Sequence, residues 1–271
     1  MVEDRKQRRQ LERETRDRLR RLSTQGIDPD GGIAHLVTLK KALLGLLDGG
    51  APSRASDAAK FATQAYSQSV QRHTPQGQGE LACRAGCSYC CHTFVSATAP
   101  EIFNLLRVLR AQHDDATLLA RLRAADALTR DLAGDARLTA HHPCAVLKDN
   151  RCEAYDARPN TCRAFASLSL AACERSWAGQ RSDIPVPTVN VQLRGSFDLA
   201  MRAALRSRGL DDRSIELNHG LLVALETPDS EARWLAGEDI FAGVAADPVE
   251  REQSDEKRAA FERVISAIEN G

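Results

Sequence analysis

The sequence predicts a mostly α protein whose helices flank an irregular, loop-rich centre, and three observations predict it. Apolar residues recur at spacings of three and four through most of the chain, as one face of a helix requires. The middle is loop-rich, with Pro143, Pro159, Pro185 and Pro187 interrupting residues 134–195. All eight cysteines (83, 87, 90, 91, 144, 152, 162 and 173) also fall in the middle, with none before or after.

Four stretches are expected along the chain: a charged helix or arm over 1–30, a helical segment over 31–82, a cysteine-rich region over 83–175, and a helical region over 176–271. Residues 1–22 carry more basic than acidic side chains and only a thin stripe of Leu11, Leu19 and Leu22, the pattern of a solvated helix. Gly31-Gly32 opens a helix through Leu47, which Gly49-Gly50 closes. Ser53 or Ser56 caps a second, running to about His73. Thr98-Ala99-Pro100-Glu101 has the makings of a capping box with proline in the first turn, and Ile102, Leu105, Leu106 and Leu109 continue that helix. Leu118, Leu122, Ala125 and Leu132 mark another, ending near Gly134. These two would form a hairpin inserted between the cysteine groups. Val189, Val191 and Leu193 alternate with Asn190 and Gln192, which suggests a short extended segment. Helices are then expected over Ser196–Arg208, Asp212–Glu226, Pro228–Ala236 and Ser254–Glu269.

Composition narrows the function. Thirty-seven basic and thirty-seven acidic residues give zero formal charge, which argues against holding nucleic acid electrostatically. No apolar run approaches the roughly 18 residues of a membrane span; the most apolar stretch, Ile33 to Leu47, is broken by Lys40 and Lys41. Without an apolar core after its charges, the N-terminus does not resemble a secretory signal, so a cytoplasmic location is expected. Gly77-Gln78-Gly79 lacks the remaining elements of a phosphate loop.

In a reducing compartment, dense cysteine points to metal binding or catalysis more than to disulfides. The first cluster reads Cys83-Arg-Ala-Gly-Cys87-Ser-Tyr-Cys90-Cys91. A Cys-x-x-Cys step lets two thiolates turn onto one metal, and Gly86 can supply the left-handed backbone of a tight turn. Cys90 and Cys91, being adjacent, should point in different directions and could serve two ions. Cys144, Cys152, Cys162 and Cys173 follow. The metal-ligand pool is therefore Cys83, Cys87, Cys90, Cys91, Cys144, Cys152, Cys162 and Cys173, and the centre is expected to be organised around metal. All-sulfur coordination suits zinc, iron and iron–sulfur clusters alike. His92, His141 and His142 lie beside cysteines but with eight thiols present are expected outside the ligand set. Asp156, Arg158 and Arg163 surround Cys162. An ion pair bracing that loop is one reading, and guanidinium donors to thiolate or sulfide the other.

Cys87-Ser-Tyr-Cys90-Cys91, Cys144, Cys152-Glu-Ala-Tyr155-Asp-Ala-Arg158-Pro159-Asn-Thr-Cys162-Arg163-Ala-Phe165 and Cys173 together resemble the CxxCxxCC cysteine-cluster family (YkgJ-type proteins), which implies a zinc- or iron-chelating domain over roughly 83–175. Cys83 fits the pattern least, its gap to Cys87 being one residue longer than the family name implies. Flagellin lysine N-methylases contain a similar cysteine cluster. That resemblance implies an alternative, an iron–sulfur-dependent protein-modifying enzyme using S-adenosylmethionine, although the chain shows no glycine-rich motif for that cofactor. A structural zinc module that binds a protein partner is the third reading, and nucleophilic catalysis by a free cysteine the fourth.

Overall fold

The computed structural model describes residues 29–84, 86–132, 134–180, 182–248 and 254–271; the charged segment expected over 1–22 lies outside them. The described chain is mostly helical. The long helices are α1 (Pro29–Leu47), α2 (Arg54–His73), α3 (Ala99–Arg110), α4 (Asp115–Thr129), α8 (Thr188–Arg206), α9 (Leu217–Glu226) and α11 (Asp255–Glu269). Shorter helices are α5 (Gly134–Thr139), α6 (Asn160–Ala164), α7 (Leu170–Trp177) and α10 (Ser230–Leu235), with single 3-10 turns at Tyr89–His92 and Tyr155–Ala157. No helix among the described residues is long and apolar enough to cross a membrane.

A pair of strand–helix units organises the centre. β1 (Ser96–Thr98) runs directly into α3, and β4 (Ser214–Glu216) runs directly into α9. The two strands pair antiparallel with Ala97 opposite Ile215, and the two helices pack on each other. At the packing point Gly220 approaches Ile102 so closely that an added Cβ would lie 2.5 Å from Ile102 Cδ1. α9 also packs on α4 more extensively than α3 does, so the expected two-helix hairpin is completed by a third helix from far along the chain. Each strand residue here is buried, and burial against a distant partner explains why Ser214–Glu216 leaves the helix expected from Asp212: cross-strand pairing overrides helical propensity.

The extended segment expected at Val189–Leu193 is instead the first part of α8. Pro187 stands at its N-cap, where proline's fixed φ suits a helix entry. The alternation was misleading: Val191 is 50% exposed while Asn190 is buried at 4%, and the Asn190 carbonyl accepts from Tyr66 Oη at 3.2 Å. From Asn190 the buried positions continue through Phe197, Ala200, Met201 and Ala204 at helical spacing.

The main core joins α1, α2, α3, α4, α8 and α9 with residues of the cysteine-rich region, including Val95, Val146, Ala154, Ala157 and Ala164. A second, smaller cluster of Leu36, Ala203, Ile265 and Ile268 seats α11 on α1 and α8. There Lys40, which interrupts the apolar run in sequence, donates from Nζ to the carbonyls of Ile268 and Glu269 at 2.8 and 2.9 Å. It thereby satisfies carbonyls left unpaired at the end of α11.

Candidate metal centre

The first cysteine cluster enters through a turn closed by Cys87 N donating to Arg84 O at 3.0 Å. Gly86 takes φ +90° there, the left-handed backbone expected of it. The 3-10 turn Tyr89–His92 then carries Cys90 and Cys91. Cys144 is brought beside them by its backbone, Cys144 N donating to Cys91 O at 2.7 Å. The next residue is clamped on both sides. Ala145 N donates to the buried Asn218 Oδ1 of α9 at 3.0 Å, and Ala145 O accepts from Arg121 Nε of α4.

Cys152 arrives on a hairpin that the sequence reading missed. β2 (Leu147–Lys148) and β3 (Arg151–Cys152) pair with Leu147 opposite Cys152, and Asp149 and Asn150 between them both have positive φ, +49° and +58°. That is the geometry of a two-residue type I′ turn, and Asp-Asn is a suitable dipeptide for it; the signal was present in the sequence. Asn150 Oδ1 also accepts from Ser88 Oγ at 3.0 Å, tying the hairpin to the first cluster. Cys162 sits on α6, which packs on α8. Cys173 sits on α7, capped by Ser169 Oγ accepting from Ala172 N at 3.2 Å.

An aromatic stack holds α7 to the 3-10 turn. Trp177 lies parallel to His141 at 3.7 Å between ring centroids and meets His92 edge-on at 4.5 Å and Tyr89 at 5.8 Å. His141, with φ +54°, sets its Nε2 3.0 Å from the Trp177 carbonyl. His92 turns Nδ1 toward Ser88 O at 3.0 Å, and burial pushes its pKa down. His92 and His141 thus serve the packing around the thiols.

The thiols form one array with two sides. Cys83, Cys87, Cys90 and Cys173 lie within electrostatic reach of one another. Cys144 and Cys162 reach each other, Cys91 and Cys152, and Cys90 belongs to both sides, being also in reach of Cys91 and Cys162. The first side holds the exposed Cys83; on the second, Cys144, Cys152 and Cys162 pack against the main core. The sides meet where the Cys91 thiol donates to the Cys90 sulfur, which draws Cys90 down to about 7 and pushes Cys91 up. Burial pushes Cys144 up to about 12 and Cys162 well above the ordinary thiol range. Burial likewise raises Cys83, Cys87 and Cys152. Among the described residues no three Cys, His, Asp or Glu side chains already close on a point that would hold an ion.

What surrounds the sulfurs suits thiolate. Backbone N–H groups two residues on donate to the sulfur at Cys87 (from Tyr89), Cys144 (from Val146) and Cys152 (from Ala154). Ser167 N donates to Cys83 Sγ at 3.2 Å. Such donors favour the charged form. Arg158 reaches Cys83, Cys90, Cys152 and Cys162 electrostatically, and so serves both sides. Its guanidinium lies 3.5 Å over the Tyr155 ring. Arg163 braces this loop through carbonyls, donating to Tyr155 O and Arg158 O at 3.3 and 3.2 Å and also to Asp156 O. The expected ion pair with Asp156 is replaced by these bonds. The donor set, all sulfur with N–H support, fits zinc, iron or an iron–sulfur cluster.

Eight thiols held by short helices, turns and a hairpin against a helical core define a cysteine-cluster domain. Residues 82–181 match the CxxCxxCC family, whose description reads "Putative zinc- or iron-chelating domain", and this span contains all eight cysteines. No curated protein and no solved structure matches the chain.

Proposed function

We propose that the protein binds zinc or iron through these thiols, Cys83, Cys87, Cys90, Cys91, Cys144, Cys152, Cys162 and Cys173, with Cys144, Cys152 and Cys162 set against the main core and Cys83 at the surface. The observation that carries the reading is the array itself. Residues as distant as Cys83 and Cys173 are brought together, and four of the sulfurs receive backbone N–H donors. Burial favours the protonated thiols, and a bound metal would supply the positive charge that makes their thiolates stable there. Arg158, between the two sides, would donate to the loaded centre and tune it.

The test is metal and sulfide content after anaerobic purification, for the wild type and for Cys90→Ser and Cys162→Ser. Iron with acid-labile sulfide and broad absorbance near ~400 nm would identify a cluster; zinc alone would identify a closed tetrahedral site. Each substitution should lower bound metal. Unchanged stoichiometry in both would overturn the reading.

A further inference from the structure

Arg137, on the short helix α5, is 1% exposed, yet its Nε and Nη1 donate to no protein group. A buried guanidinium with unused donors is costly, because the desolvation it suffers is normally returned by a partner. Among the described residues Arg137 forms no ion pair. Three groups face it. Glu216, at the end of β4, is the carboxylate in electrostatic reach, but its Oε2 already accepts from His219 N at 2.7 Å and caps α9. His92, also within electrostatic reach, carries no negative charge to offer it. The third is the thiol of Cys144, which packs against the main core. Among the described residues, Glu216 thus acts on Arg137 only across a distance, with one carboxylate oxygen held in the α9 cap, and Nε and Nη1 of Arg137 remain without an acceptor.

We infer that Arg137 is the charge-compensating residue of an anionic, all-thiolate centre built on Cys91, Cys144, Cys152 and Cys162. The inference rests on the metal-binding reading and sharpens it. A divalent ion with four thiolates carries two net negative charges, and Arg137, in reach of Cys144, and Arg158, in reach of Cys152 and Cys162, offset them. A centre in which two thiols gave way to histidines would be neutral and would leave the buried cation as costly as before. Arg137 thus also argues that His92, its other neighbour, stays outside the coordination sphere. Its role is a positioning one: it acts on the ligand sulfurs and touches no metal.

The experiment uses the full chain, reduced, with Arg137→Met and Arg137→Lys beside the wild type. Unfolding midpoints are taken in denaturant with excess chelator, and zinc affinity by competition with a chromogenic chelator. A residue that merely packs would lower metal-free stability when replaced. An unpaired buried cation does the opposite: R137M should match or exceed the wild-type midpoint without metal while binding zinc tenfold or more weakly at one class of site. R137K, keeping the charge, should recover most of that affinity. Cobalt(II) in place of zinc gives a spectroscopic readout, and R137M should shift the sulfur-to-cobalt bands. Zinc affinity in R137M within twofold of wild type would overturn the inference, and so would an R137M chain that unfolds more easily, or fails to fold, without metal. A wild-type protein that takes up neither zinc nor cobalt would overturn the metal-binding reading itself, which separates the two failures.

Discussion

Glu101 sits under the first turn of α3, where Oε2 accepts from Thr98 N and Oγ1 at 2.9 and 3.0 Å and Oε1 accepts from Asn160 N at 2.8 Å. One carboxylate thus caps α3 and anchors α6, the helix that carries Cys162. Burial nonetheless pushes its pKa up from the ordinary glutamate range, the hydrogen bonds offsetting only part of that cost. A raised folded-state pKa means the native state holds its proton longer than the unfolded chain does. Stability from this group is therefore full below the unfolded value of about 4.5 and declines as pH rises through the folded value. Replacing Glu101 with Gln removes that decline but sets an amide N–H₂ against a backbone or hydroxyl donor. Glu101→Gln should cost about 1–3 kcal/mol near neutrality and flatten the acid-side pH profile, both read from denaturant midpoints between about pH 4 and pH 7. Midpoints that keep the wild-type pH dependence would show that Glu101 does not carry it.

At the scale of elements, the contact between α3 and α9 turns on Gly220. Alanine there gains up to about 1 kcal/mol in helical propensity but meets Ile102, which is fully buried, and overpacking typically costs about 1–3 kcal/mol. Gly220→Ala should be destabilising by about 1 kcal/mol net, and Ile102→Val, which removes the clashing Cδ1, should become less costly in its presence. A double-mutant cycle measures that coupling; strict additivity would contradict the packing described. Such contacts also explain what was legible in sequence. α1, α2, α3 and α11 each carry their own apolar stripe and local start or stop signals, and Thr98 with Glu101 announced its cap. β4 could not be seen at Ser214–Glu216, because what makes it a strand is Ser96–Thr98, more than a hundred residues earlier. The site was legible as a set of cysteines and as the Gly86 turn. Its division into two sides was not, since that depends on where the Cys144 loop is clamped by Asn218 and Arg121. Arg137 carries no sequence signal at all: its significance lies in burial without a partner.

For the whole molecule, the helical shell and the thiol array have different sources of stability. The main core is built largely from α1–α4, α8 and α9, so hydrophobic burial holds it irrespective of metal. The segments bearing Cys83–Cys91 and Cys144–Cys162 are turns and short elements with few long helices to steady them. Chelation of the metal-loaded protein should therefore open these segments first. Trypsin should then cut faster after the exposed Arg84 and Arg151 while the far-ultraviolet helical signal stays nearly constant. Simultaneous loss of both signals would show instead that metal and core are one cooperative unit.

The joining of Cys83, Cys87 and Cys90 to Cys173 has a consequence during synthesis. Chains are extended at about 5–20 residues per second from the N-terminus, so the first four thiols leave the ribosome roughly 4–16 s before the last. Throughout that interval they stand without α7 beside them and without α8 and α9 to back them. If the proposed ligand set holds, a nascent chain of this kind would meet the cell's metal pool with an incomplete site, and any ion taken early would be held by fewer sulfurs than the finished protein offers. On that reading the arrival of α7, pinned through Trp177 to the 3-10 turn, would separate transient from lasting capture.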